Sequence, residues 1–188
     1  MDKALKKIVV IEGPSGVGKD TIMRELIRRY PNRYKKIVAY STRQPREGEI
    51  NGVEYFFLDT DTFLEKVKSG DIFEHTMRHG TYRGIGKHAV NEIINAGYIA
   101  LKDTDMLGVK ALRRVYHDAV LTIFITADKH AVEKRLMERG HSGAELAGRL
   151  ADYDDCMAQA THFDYVFENN GTLDEIIEKI EKVLEKHT

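Results

Sequence analysis

The stretch that most limits what this chain can fold into is Gly13-Pro14-Ser15-Gly16-Val17-Gly18-Lys19-Asp20-Thr21. Ile8-Val9-Val10-Ile11 precedes it, a β-branched apolar run that reads as a buried strand. Ile22 to Tyr30 follows, with apolar residues at 22, 23, 26, 27 and 30, the spacing of one helix face. A strand, a glycine-rich turn and a helix start, in that order, are the setting of a phosphate-binding loop. The glycines let backbone N–H groups converge on phosphate oxygens, and the helix N-terminus adds partial positive charge. Lys19 is spaced to reach the outer phosphates. Where that pattern has Ser or Thr for Mg²⁺, this chain has Asp20. A carboxylate is a hard-oxygen ligand that suits Mg²⁺, so Asp20 is the candidate metal ligand, directly or through water.

A chain of 188 residues is the size of one compact domain with room for insertions, and it buries enough surface to need no staples. The net charge is −1, which argues against nucleic acid or an anionic membrane surface as partner. The single Cys156 has no disulfide partner and reads as an ordinary, semi-buried thiol. Met1 to Lys7 lacks an apolar signal segment, and no run reaches membrane-spanning length, so the cytoplasm is the expected location. The eight histidines show no metal-ligand spacing. Of these, His75 and His79 are expected nearest the substrate.

Along the chain, Pro31 stops the first helix and Lys36 to Tyr40 reads as a second strand. Ser41 to Glu49 is polar and turn-prone, with Arg43 and Arg46 as a fork for phosphate oxygens. Tyr55-Phe56-Phe57 resumes strand character. A helix through Phe63, Leu64 and Val67 is capped by Asp59-Thr60-Asp61 and ended by Gly70. Two short strands flank a turn at Gly80, and a helix spans 87 to 96. The strand Tyr98 to Leu101 runs into Asp103 and Asp105, carboxylates at a strand's C-terminal end, where ligands gather in open α/β sheets. Val120 to Ile125 is the most strand-like run. Helices follow over 128–139 and 145–160, then a strand at 165–167. Thr172 and Glu175 form a capping-box pattern for the final helix. These elements predict a core of residues 1–40, 98–138 and 162–188. Residues 41–97 form an inserted substrate-binding subdomain, and about 139–161 a helical lid.

With these residues in view, the chain resembles the guanylate kinase family of P-loop nucleoside monophosphate kinases over nearly its whole length. The most specific segment is Ser41-Thr42-Arg43-Gln44-Pro45-Arg46-Glu47-Gly48-Glu49, continuing through Tyr55-Phe56-Phe57, which is similar to the family's GMP-binding signature. The resemblance implies an α/β P-loop sheet core, a GMP-binding subdomain and a mobile lid. It implies ATP with Mg²⁺ as donor, held by Gly13, Ser15, Gly16, Gly18, Lys19, Asp20 and Thr21. It implies that Arg43, Arg46, Tyr55 and Arg83 hold the acceptor's phosphate. Glu74 and Asp105, with Asp103 beside them, face the guanine. It implies that Arg135, Arg139 and Arg149, with Lys19, stabilise the transferring phosphoryl.

The departures gather where the acceptor is chosen. Ala39 and Ile85 stand where the family has hydroxyls that help read the guanine O6 edge, and Arg83 where it has a phosphate-contacting tyrosine. A Gly-Lys-Asp loop is similar to that of ribose 1,5-bisphosphate phosphokinases, so a ribose phosphate is the alternative acceptor. A third reading is a non-catalytic guanylate-kinase-like binding module. It is disfavoured by the retained Lys19 and lid arginines.

Overall fold

The computed structural model describes residues 5–188. Residues 1–4, which carry most of the leader reading, lie outside the described residues. The chain builds two sheets. The larger is parallel throughout: β1 (Ile8–Glu12), β2 (Tyr34–Lys36), β7 (Ile99–Asp103), β8 (Val120–Thr126) and β9 (Tyr165–Glu168), in the order β2-β7-β1-β8-β9. β1 lies at its centre, and Ile8 to Ile11 are fully buried because helices cover both faces.

On one face, Val9 and Ile11 pack with Ile22, Met23 and Leu26 of α1 (Lys19–Arg29) and Ile176, Ile177, Ile180 and Leu184 of α8 (Leu173–His187). The expected capping box opens α8: Glu175 N–H donates to Thr172 and Thr172 N–H to Glu175. On the other face, Ile8 and Val10 pack with Val90 of α3 (Lys87–Asn95) and Val109 and Leu112 of α4 (Met106–Tyr116). The expected α/β architecture is therefore the observed one.

The smaller sheet runs β4-β3-β6-β5, from β3 (Tyr40–Ser41), β4 (Phe56–Phe57), β5 (Ile72–Arg78) and β6 (Thr81–Gly86). It carries its own apolar cluster of Tyr40, Phe63, Ile72 and Ala89, with Phe63 supplied by α2 (Thr60–Lys68). Gly84 permits the close β5–β6 approach, since a Cβ there would lie 2.7 Å from both the Glu74 carbonyl oxygen and the Ile72 side chain.

Two elements differ from expectation. The strand foreseen over 36–40 is divided between the sheets. Ile37 N–H donates to Leu101 O at 2.8 Å, ending the pairing with β7, and the chain then crosses to pair as β3. The single helix foreseen over 145–160 is three pieces: α6 (Gly143–Ala151), α7 (Tyr153–Met157) and a 3₁₀ turn at Ala160–His162. Tyr153 sets the break, because its buried ring and its hydroxyl bond to Ala127 O pull the chain down onto the core.

Candidate active site

The phosphate loop joins β1 to α1. Gly13 sits at φ +148°, and a Cβ there would collide with Ile125 O, so only glycine lets the loop leave the sheet beside β8. Lys19 Nζ folds back to donate to the carbonyls of Gly13 and Pro14, the latter at 3.0 Å. From outside the loop, Asn169 Nδ2 donates to Val17 O at 2.7 Å. Arg135, on α5 (Lys129–Glu138), donates to Asn169 O at 2.8 Å and to Val17 O at 3.5 Å. Arg135 therefore clasps the loop's outer side. Asn169 was not a sequence candidate, because Asn169-Asn170-Gly171 carries only the signal of a turn.

Two clefts meet at this loop. One, of about 470 Å³, lies between Gly13, Pro14 and Ser15 of the loop and Gly148, Arg149, Asp152 and Cys156 of α6 and α7. Arg149 crosses it, donating to Ser15 Oγ at 3.1 Å and to Glu145 Oε1 at 3.3 Å. Arg139 is exposed beyond the end of α5 and lines neither cleft. Asp20 is also exposed. It lines a shallow groove with Met23, Arg24, Ile27 and Lys36, and Thr21 beside it is half-buried.

The second cleft, of about 760 Å³, opens from Lys19 toward the smaller sheet. One wall is basic: Arg43, Arg46, Arg78, His79 and Arg83. Arg43 forms two hydrogen bonds with Glu49, each 2.6 Å, and lies over the rings of Tyr55 and Phe57 at 5.1 and 5.3 Å. Arg83 also lies over the Tyr55 ring, 5.5 Å from its centroid. The Arg43 guanidinium, with the Arg46 backbone N–H at 2.7 Å, holds the Glu49 carboxyl down to about 2. His79 is at the cavity as expected. His75 is not: one residue after Glu74 on a pleated strand, it turns to the opposite face, where it meets Phe63 edge-on.

The other wall is acidic: Glu12, Asp103 and Asp105. Asp105 also caps α4, accepting from Leu107 N–H at 3.0 Å and Gly108 N–H at 3.1 Å. Burial raises the pKa of Glu74, the nearby Asp105 charge adds to the rise, and Lys102 opposes it. Burial alone would raise Asp103 too, but Lys102, at 3.3 Å, and Lys36 bring its carboxyl below the ordinary value. Burial pushes Glu12 up to about 7 against the pull of Lys19, with Asp105 and Asp103 adding to the rise. Glu12 was not a sequence candidate either. Its signal was a carboxylate at the end of an otherwise apolar strand.

A parallel sheet with a glycine-rich loop at its C-terminal edge, an arginine from α6 on that loop and a basic cavity beside its lysine is the arrangement of a P-loop protein of the kinase class. The guanylate kinase family model matches residues 5–187. The chain belongs to the guanylate kinase family.

It is 31% identical over 185 residues to a guanylate kinase of Prochlorococcus marinus subsp. pastoris, covering 97% of this chain and 98% of that protein. It is 35% identical over 164 residues to one from Methylobacillus flagellatus, covering 87% and 81%. A crystal structure of guanylate kinase from Anaplasma phagocytophilum superposes with a TM-score of 0.68 at 24% identity, covering 98% of this chain and 87% of that one. The SH3-kinase fragment of tight junction protein 3 superposes with a TM-score of 0.59 at 15% identity, covering 99% and 59%. Both likenesses concern the fold. No helix among the described residues is long and apolar enough to cross a membrane.

Proposed function

We propose that this protein transfers the γ-phosphoryl group of ATP to GMP, giving ADP and GDP, and that ATP arrives with Mg²⁺. The observation that carries this reading is the second cleft. It begins at Lys19, presents arginines on one wall and carboxylates on the other, and is large enough for a nucleotide.

The chain's residues do positioning and charge neutralisation, which is most of what phosphoryl transfer asks of a protein. The glycine-rich loop and the N-terminus of α1 hold the donor's phosphates. Lys19 leaves the Gly13 and Pro14 carbonyls to meet the outer phosphates. Arg43, Arg46 and Arg83 grip the acceptor's phosphate, and Tyr55 braces the first and third of them through ring contacts. Glu74 and Asp105 accept from the guanine's N–H groups. Arg149 brings positive charge over the loop from α6 and, with the lid, excludes water that would otherwise receive the phosphoryl. Arg139 follows the end of α5, and its part in catalysis rests on the family resemblance.

Among the described residues no three His, Cys, Asp or Glu side chains converge to hold a metal by themselves. That fits Mg²⁺, which keeps several waters and binds through one or two protein oxygens plus the phosphates. Thr21 and Asp20, hard oxygen donors in the first turn of α1, are the residues that would hold it, and Asp20, exposed on the groove beside Met23 and Arg24, would do so through water. Held there, the ion would supply neutralisation of the phosphates' charge.

An ADP-release assay with ATP·Mg²⁺ and GMP, dGMP, AMP, IMP, CMP, UMP and ribose 1,5-bisphosphate tests the reading. Selective turnover of GMP is expected. Turnover of the sugar phosphate alone, or of none, overturns it.

A further inference from the structure

Among the described residues, Glu12 is the one side chain that lines both clefts. It ends β1 and immediately precedes the first glycine of the phosphate loop, so it stands where a donor's outer phosphate and an acceptor's phosphate must approach each other. It stands on the acidic wall of the second cleft, and no role described above falls to it. We propose that Glu12 is a further catalytic residue, acting as a neutral carboxylic acid that donates a hydrogen bond to a non-bridging oxygen of the phosphoryl group in transit. The inference rests on the kinase reading above. The acid's proton stays on Glu12 throughout. The bond that breaks joins the γ-phosphorus to the β–γ bridging oxygen, and the bond that forms joins it to an oxygen of the acceptor's phosphate.

The surroundings favour the neutral form of this carboxyl far more than water does. From β1's own side the Gly13 backbone N–H donates to it and the Lys19 ammonium favours its charged form. Against these stand burial and the charges of Asp103 and Asp105 from the acid wall. From α7, Cys156 Sγ lies 4.0 Å from Oε1. Burial pushes that thiol up to about 11, so it remains a neutral S–H donor. Across the lid cleft, α6 offers Arg149, already engaged with Glu145, and Asp152 follows it. The balance puts Glu12 at about 7. Across the second cleft stand Arg43, Arg46, Arg78, His79 and Arg83, whose charge the acceptor's phosphate takes up, so the donor's phosphates raise the carboxyl further. A buried carboxylic acid held neutral so that it can donate is an established catalytic device, whereas an ionised one here would repel both phosphates.

The experiment compares wild-type protein with Glu12→Gln and Glu12→Asp on ATP·Mg²⁺ and GMP between pH 6.5 and 8.5. Gln keeps a neutral donor at every pH. Wild-type kcat/KM is expected to fall by about tenfold or more over that range as Glu12 ionises, while Glu12→Gln stays within about threefold. A falling limb that persists in Glu12→Gln belongs to another group, such as His79 in the acceptor cavity, and overturns the proposal. Loss of activity in Glu12→Gln at every pH, with Glu12→Asp active, shows that the ionised form is required and also overturns it. In the wild-type protein the Glu12 side-chain carboxyl ¹³C signal is expected to titrate near 7 and to move upward with a non-hydrolysable ATP analogue. A midpoint in the ordinary carboxylate range overturns the proposal without any variant. Absence of GMP turnover in the wild type would instead bring down the kinase reading.

Discussion

The Arg149 guanidinium donates to the Ser15 hydroxyl at 3.1 Å, so the lid and the phosphate loop meet through side chains 134 residues apart. Replacing Arg149 by Ala is expected to lower kcat by about 10²–10³, the cost of removing one preorganised charge from a phosphoryl-transfer site. KM for GMP should move by no more than about threefold, since Arg149 lies outside the acceptor cavity. Steady-state kinetics decides it. A change confined to KM would take Arg149 out of the transferring step.

Lys19→Ala should leave the fold intact and reduce kcat by about a thousandfold or more. The side chain is half-buried and bonds only loop carbonyls, so circular dichroism should be unchanged. The variant's thermal midpoint should also gain less from ATP·Mg²⁺ than the wild type's, because a ligand stabilises in proportion to its affinity for the folded state. An equal gain would mean that Lys19 does not reach the nucleotide.

Arg43→Ala should raise KM for GMP by about ten- to a hundredfold, leaving KM for ATP nearly alone. It also frees Glu49, whose carboxyl the arginine holds down to about 2. A depressed carboxylate stabilises the fold above its ordinary pKa of 4.5 and loses that contribution as pH falls toward 2. The thermal midpoints of wild type and Arg43→Ala should therefore differ at pH 7 and converge as pH drops through that window. A gap that is constant with pH would show that the pair contributes no charge-dependent stability.

Asn169→Ala should loosen the phosphate loop from outside, by removing the 2.7 Å bond to Val17 O. The expected result is a rise in KM for ATP of about threefold to tenfold and a loss of about 1 kcal/mol in unfolding free energy. Denaturant unfolding and nucleotide titration measure both. If neither changes, Arg135 alone holds the loop.

Much of this fold is legible along the chain because its signals are local. Gly13 to Lys19 can mean little else once a buried strand and an amphipathic helix flank it, and Thr172 with Glu175 announces α8 in four residues. The grouping of Arg43 and Arg46 on one cavity is legible because they lie with Glu49 on one short loop. What sequence order hides is convergence. Glu12 reads as the polar end of a strand until Cys156 and Asp105 close around it. Asn169 reads as a turn until Val17 lies opposite. His75 and Glu74 are neighbours in sequence but face opposite sides of a pleated strand, and the three lid arginines divide among the phosphate loop's tip, its outer side and solvent. The break between α6 and α7 depends on Tyr153 finding Ala127, a contact no periodicity encodes.

The two sheets carry separate responsibilities. Residues 8–21 and 129–169 fix the loop, the clasp and the lid, while the arginines of the acceptor wall sit on residues 43–83, around a cluster of their own. Ala39 immediately precedes β3, and Ile85 lies on β6 but packs into the larger sheet's cluster with Ile8 and Val10. On the proposed reading, substitutions among the arginines of the smaller sheet would alter which molecule is offered to the phosphoryl group without touching the loop that holds its donor. A lineage built on this plan can change its acceptor and keep its donor.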